Sequence, residues 1–426
     1  MNVITILGAG GGVVRALLGI LDRALVEENT PLYPAIGECQ LHGIDRPQAR
    51  DRLDAFLATR SDRLRERLTP HDGDAGDATA LEAHLRATKT DVLVDLTGGD
   101  PREMLRACSR TGTRYLNSAI EITGPMPCEP VRILDEMEIF RAFREEIGSS
   151  VTGIVGAGMN PGIVQWLALD LIRRNENRVP LACYVVEHDT TFFSDPARAR
   201  PGVAYTTWSP EGFMYEAAHS RPIFMRGQAP VALFENVYAR QYRVRLGDHE
   251  FFAQLMPHEE VLSLGRLFDM ETAFLYRVND HTTEVLTDYA RREASGGPMP
   301  ECRPLPQNFA ELTGADKVGV LLVYPDREVF AWNRMETIQV NERFGTNATY
   351  YQVACGTAAA LASLLFDSLP SGLYYVDELL LQTRSRFGDY VPSFLKDITY
   401  GANPSSDGML FDRMRRNTVT NEFTES

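Results

Sequence analysis

The first 24 residues constrain the fold more than any other stretch. Val3-Ile4-Thr5-Ile6-Leu7 is a short β-rich run. It runs directly into Gly8-Ala9-Gly10-Gly11-Gly12, and Val13 to Ala24 then reads as a helix. A strand that ends in glycines at a helix start offers close backbone approach and free N–H groups, which together suit a dinucleotide pyrophosphate. The spacing therefore predicts a nicotinamide dinucleotide held by Gly8, Gly10, Gly11, Gly12 and Val13. The third glycine of the usual fingerprint would fall at Val13, which implies a shift in helix–strand packing rather than loss of the cradle. A second strand, Gln40 to Ile44, ends at Asp45, where an acid accepts hydrogen bonds from the adenosine ribose and disfavours a 2′-phosphate. NAD is thus expected over NADP, with Arg46 softening the preference; a plain surface acid fits Asp45 nearly as well.

The pattern then repeats. Asp91 to Leu96 is a mostly apolar strand, Thr97-Gly98-Gly99-Asp100-Pro101 a turn, Arg102 to Thr111 a helix, and Thr113 to Asn117 another strand. Alternation of this kind predicts an α/β fold, a Rossmann-type doubly wound parallel sheet, with ligand beyond the carboxyl ends of its strands. Thr97, Gly98 and Glu121 stand at such ends, and each fits a turn role equally well. After residue 150 the chain changes character. Asn160 reads as the cap of a helix whose first turn holds Pro161. From about 180 to 340, β-type runs dominate, and Gln352 to Phe366 is strongly helical. The expected division is a nucleotide-binding domain over 1–157 and an inserted α+β substrate and dimerisation domain over 158–344. A helix-rich return to the first domain over 345–390 and a C-terminal extension over 391–426, loosely ordered after Gly401, complete it.

Composition narrows the function. The net charge of −15 argues against a nucleic-acid partner and is compatible with a cationic substrate. No apolar run suggests a membrane span, and the start has no basic segment of a signal peptide, so a cytoplasmic protein is expected. The six cysteines form no Cys-x-x-Cys pair and read as buried thiols. All but three of the 43 basic residues are arginine, which leaves few candidates for lysine chemistry. The histidines show no ligand spacing, so no metal site is expected.

One set of motifs is more specific. Gly158-Met159-Asn160-Pro161-Gly162-Ile163-Val164 resembles the Asn-Pro-Gly segment of bacterial homospermidine synthases, within the wider saccharopine-dehydrogenase-like group. In the same order follow Glu187-His188-Asp189-Thr190, Thr207-Trp208-Ser209-Pro210-Glu211-Gly212-Phe213 with Glu216, Pro257-His258-Glu259-Glu260, and Asp316-Lys317-Val318-Gly319-Val320. Each is similar to a family stretch, and together they span most of residues 1–390. Val13 and Glu259 depart from the family pattern, each replacing a glycine.

The resemblance implies NAD, a homodimer, and a redox-neutral cycle on small di- or polyamines such as putrescine: an amine is oxidised to an imine, a second amine is exchanged in, and the new imine is reduced. It implies that Trp208 stabilises the cationic imine and that Glu216 holds an ammonium group. Glu187, at a strand end, is a second amine anchor. His258 and Glu260 share one face if their segment is extended, and could move protons there. Asn160 would orient nicotinamide or substrate, and Asp316 would bind an amine. The rival reading is a reductase of the same group that condenses an amine with a keto acid and grips the carboxylate with Arg221, Arg226, Arg240 or Arg243. A non-catalytic NAD sensor is the reading from another class.

Overall fold

The computed structural model describes residues 2–293, 295–306 and 311–416. Two sheets organise them. The first joins β1 (Val3–Leu7), β2 (Gln40–Asp45), β3 (Leu68–Asp72), β4 (Val92–Asp95), β5 (Arg114–Asn117), β6 (Thr152–Ile154) and a late strand, Gly372–Tyr374. Every pairing in it is parallel. β1 lies between β4 and β2, so the strand order reverses beside β1 and opens a crevice there. β1 and β4 are buried along their whole length, as expected for strands covered by helices on both faces. The late strand pairs with β6 after the helix Ala348–Phe366, which begins four residues before the predicted start.

The second sheet is mixed. Its central strand, β7 (Ala182–Asp189), runs parallel to strand Glu271–Arg277 and antiparallel to strand Ala315–Val323. Alternation along these strands divides the side chains between two cores. Val185, Phe274, Tyr276, Val318 and Val320 join the core of the first sheet. Tyr184, Val186, Leu275 and Leu321 belong to a second core on the opposite face. The period of two carries over to the polar residues: Glu187, Asp189 and Asp316 share the inner face, turned toward the first sheet.

The tail departs from expectation. Ile398–Asn403 forms an edge strand on Glu328–Glu336, and Met414–Arg416 pairs with Arg240–Leu246. Arg413 is fully buried against Glu328, which explains why the polar stretch between these strands is held in place. Residues 417–426 of the predicted extension lie outside the described residues. Among the described residues no helix is long and apolar enough to cross a membrane. The cysteines are all free, and Cys128 is exposed rather than buried.

Candidate active site

The glycine loop sits at the crevice. Gly8 takes a positive φ of 78°, and a Cβ there would lie 2.9 Å from the Leu96 carbonyl oxygen, so β1 and β4 can approach only with glycine at this position. The helix Gly12–Ala24 starts from Gly11 with no side-chain cap and no acid in its first turn. Its first N–H groups therefore lack an intrahelical or side-chain acceptor, and an anion is their natural partner. Val13 is half-buried against the core in the first turn. Asp45, at the end of β2, accepts hydrogen bonds from Gly10 N–H (2.8 Å) and Arg46 N–H (2.7 Å). Those two bonds fix the carboxylate beside the loop and leave it further lone pairs. Across the crevice, Thr97 donates to Asp95 (2.7 Å), and a Cβ on Gly98 would stand 3.1 Å from a carboxylate oxygen of Glu121. These residues fit an NAD cradle.

The second sheet supplies the acids. Asp189 and Asp316 are directly opposed in the β7 ladder, and Glu187 stands two residues before Asp189 on the same face. Like charges in facing positions repel, and burial adds the cost of desolvation. Burial, then Asp189, pushes the Glu187 carboxyl up to about 8; Asp316 is driven well above the ordinary range by burial and by both neighbours. Asn160 Nδ2 donates to Glu187 Oε2 (2.7 Å), Thr207 Oγ1 to Asp189 (2.7 Å), and Thr349 Oγ1 to Asp316 (2.8 Å). These are neutral donors. Asp316 Oδ1 is buried and has no hydrogen-bond partner.

A second group of acids closes the site from the side of the first sheet. The sequence reading placed His258 and Glu260 on one extended segment. Instead the strand ends at Met256, His258 caps the helix Glu259–Leu267, and Glu260 lies in its first turn. The pair still meets, because a first-turn side chain reaches back to the cap: His258 Nδ1 contacts Glu260 Oε2. Burial alone would lower the His258 pKa, but Glu260, Glu216 and Glu259 outweigh it and raise the imidazole to about 10. The surrounding acids thus favour the protonated form of the imidazole. Glu216 is pushed up to about 7 by burial, against the pull of His258. Its Oε2 and the Oε1 of Glu260 are buried without partners. Glu216 also feels Glu121 at the crevice, so the acid cluster extends to the nucleotide side.

Trp208 follows Thr207, whose carbonyl accepts from Asn347 Nδ2 (2.8 Å) at the start of the helix Ala348–Phe366. The same helix places Tyr350 against Gly12 of the glycine loop. The indole is edge-on to Phe213 (6.0 Å), which is edge-on to Tyr276 (6.3 Å), and Tyr276 stacks on Phe274 (5.7 Å). A Cβ on Gly212 would fall 2.8 Å from the indole, so glycine at this position seats the ring.

The structure thus brings Asn160, Glu187, Trp208, Glu216, His258, Glu260 and Asp316 around one region, with Glu121, Gly98 and Thr97 leading to the glycine loop. Asn160 is not a helix cap: the helix Ile163–Arg174 is capped at Gly162, with Gln165 Oε1 accepting the Gly162 N–H (2.9 Å). Sequence reasoning missed three residues. Asp189 was detectable from its i, i+2 spacing to Glu187. Glu259 was read only as a lost glycine; in fact its Oε1 accepts from Ile120 N–H (2.8 Å) and ties the acid cluster to the first sheet. Burial pushes Glu259 up to about 8. Tyr276 had no signal beyond its strand pattern, yet its hydroxyl lies beside Glu187, Asp189 and Asp316. His42, His71 and His84 also converge in space, although no sequence spacing shows it.

No protein-family model matches the chain, and no curated protein matches it. Solved structures do. The homospermidine synthase of Legionella pneumophila, determined in complex with NAD, is similar over 95% of this chain and 91% of its own, with TM-score 0.70 and 16% identity. The apo L-glutamate-forming saccharopine dehydrogenase of Saccharomyces cerevisiae covers 95% of this chain and 99% of its own, with TM-score 0.58 and 12% identity. The chain shares the fold of these two enzymes.

Proposed function

We propose that this protein is an NAD-dependent enzyme of the homospermidine synthase type, transferring an aminoalkyl group between small diamines, with putrescine the first to test. One observation carries the reading: Glu187, Asp189, Glu216, Glu260 and Asp316 are gathered beside Trp208 with no arginine or lysine ion-paired to any of them among the described residues. A flexible chain with an ammonium at each end supplies what these acids lack. NAD, held by Gly8 to Val13 and Asp45 in this reading, supplies oxidation of the amine-bearing carbon and reduction of the exchanged imine.

The chain's own residues then bind, orient and manage protons. Glu187 and Asp316 anchor one ammonium, and Asn160 fixes the Glu187 carboxylate. Glu216, poised near 7, takes a proton at Oε2 from the incoming ammonium so that a neutral amine can attack. His258 remains protonated and offsets the negative charge of the cluster. Trp208 presents its face to the cationic carbon, worth about 0.5–2 kcal/mol, while Phe213, Tyr276 and Phe274 form an aromatic wall behind it.

The reductase reading is less supported. Arg226 is bound to Glu271, Arg240 to Glu235, Arg243 to Glu250, and Arg221 lies 3.6 Å from Glu293, so the proposed carboxylate clamp is already committed. The test is incubation with NAD and putrescine followed by mass spectrometry for a longer triamine. Absence of triamine, with no other diamine converted, sinks the proposal; net consumption of reduced cofactor with an amine and a keto acid favours the rival.

A further inference from the structure

His42, His71 and His84 come from three different elements. His42 is on β2, His71 near the end of β3, the edge strand of the first sheet, and His84 on the helix Ala78–Thr88 that follows. β2 and β3 pair with Ile44 opposite His71, which puts His42 and His71 on the same face of the sheet, the face this helix covers. The three rings form a nearly equilateral triangle, with centroids 5.1, 5.3 and 4.9 Å apart. One ligand nitrogen from each ring lies within 4.8 Å of the other two. His42 Nδ1 and His71 Nε2 are 2.9 Å apart. Two imidazole nitrogens on one tetrahedral zinc ion stand about 3.3 Å apart, from bonds of about 2.0–2.1 Å. Small rotations of the rings therefore reach a ligand geometry. Thr5 Oγ1 lies 3.3 Å from His84 Nε2 and is itself bonded to Thr90 Oγ1 (2.8 Å), the kind of outer contact that orients a ligating ring. All three histidines are half-buried.

The geometry points to a second site, independent of the amine chemistry: a three-histidine site for a divalent transition metal, zinc first, that clamps β2, β3 and the helix Ala78–Thr88 together. Imidazole-rich, cysteine-free ligand sets suit zinc, copper or nickel rather than magnesium or calcium. The position gives the clamp a consequence. Asp45 and Asp72 are paired at the ends of β2 and β3, so a metal at His42 and His71 would stiffen the strand end that carries the proposed ribose acid.

Full-length protein without a polyhistidine tag, treated with chelator and dialysed, tests this by titration with zinc chloride in competition with a chromophoric chelator. Uptake of one ion per chain is expected, with a rise in Tm. Cobalt(II) should give the visible absorption of a four-coordinate ion. His71→Gln and His84→Gln should each lower zinc affinity at least about 10-fold while NAD binding persists, whereas Glu187→Gln should leave zinc binding intact. The proposal is overturned if the wild-type chain takes up no stoichiometric zinc. It is equally overturned if His71→Gln binds as the wild type does, or if Glu187→Gln is the change that abolishes uptake.

Discussion

The two faces of the second sheet both bury acids, and they treat them in opposite ways. On the outer face, Glu271 accepts from Tyr184 (2.6 Å), Arg226 Nε (2.8 Å) and the Leu410 N–H (2.9 Å). Glu328 is likewise enclosed by Arg413, Asn403 Nδ2 (2.7 Å) and the Asp407 N–H (2.8 Å). On the inner face, Glu187, Asp189 and Asp316 have only neutral donors, and oxygens of Asp316, Glu216 and Glu260 have none. Arginine is abundant in this chain, yet among the described residues none is ion-paired to these acids. The paired acids of the outer face have their charge offset within the fold, whereas a buried acid with no counter-charge carries a desolvation cost that a bound cation would offset.

The largest expected effect tests the outer face. Glu328→Gln leaves the fully buried Arg413 without its counter-charge and should cost about 3–5 kcal/mol of stability, read from urea denaturation. Glu187→Gln on the inner face should do the reverse for stability, holding or raising Tm at about pH 8 because a repelling carboxylate is removed. The same change should lower kcat/KM for the diamine about 100-fold, or ~2.7 kcal/mol, with NAD affinity unchanged. If Glu187→Gln destabilises the protein as Glu328→Gln does, the two faces are alike and the inner acids are structural.

The pH response sharpens the same contrast. Glu187 and Glu259 near 8 and Glu216 near 7 all lie above the ordinary carboxylate value when folded. A folded-state pKa raised above the unfolded one stabilises at low pH and loses that contribution as pH rises through the folded value. His258 near 10 acts in the same direction at higher pH. Without ligand, Tm should fall from about pH 6 to about pH 9. Saturating putrescine should flatten that fall, since a dication favours the ionised acids, and binding should release protons, visible as buffer-dependent heats in calorimetry. A decline unaffected by putrescine would remove the acids from the binding site.

Much of this was legible in the chain, for identifiable reasons. β1, the glycine loop and β4 depend on local pattern, and the crevice follows from strand order. Glu187, Trp208, Glu216 and Asp316 were reached through motifs. The misreadings concern contacts between distant segments. Glu259 matters because it reaches Ile120, across the boundary between the two sheets. The tail at Ile398–Asn403 and Met414–Arg416 is ordered by strands far away in sequence and by Arg413 in the outer core. The three acidic neighbours that raise the His258 pKa come together only in the fold. The histidine triangle needs β2, β3 and a helix at once, which no one-dimensional spacing encodes.

The smallest effect concerns how the indole is held. Trp208→Leu removes the aromatic face and should raise KM for the diamine by a factor corresponding to about 0.5–2 kcal/mol. Gly212→Ala keeps the indole but adds a methyl group where only 2.8 Å separates Cβ from the ring. Gly212 lies within the short helix Pro210–Met214, where alanine is the better helix former, so stability should hold or rise slightly. If the indole acts on the substrate, the displaced ring should reproduce much of the Trp208→Leu defect at unchanged Tm. If Trp208 only fills space beside Phe213, Gly212→Ala should leave KM alone and instead lower Tm through overpacking. Each outcome moves one measurement and leaves the other unchanged, which separates a substrate-facing indole from a core one without deleting it.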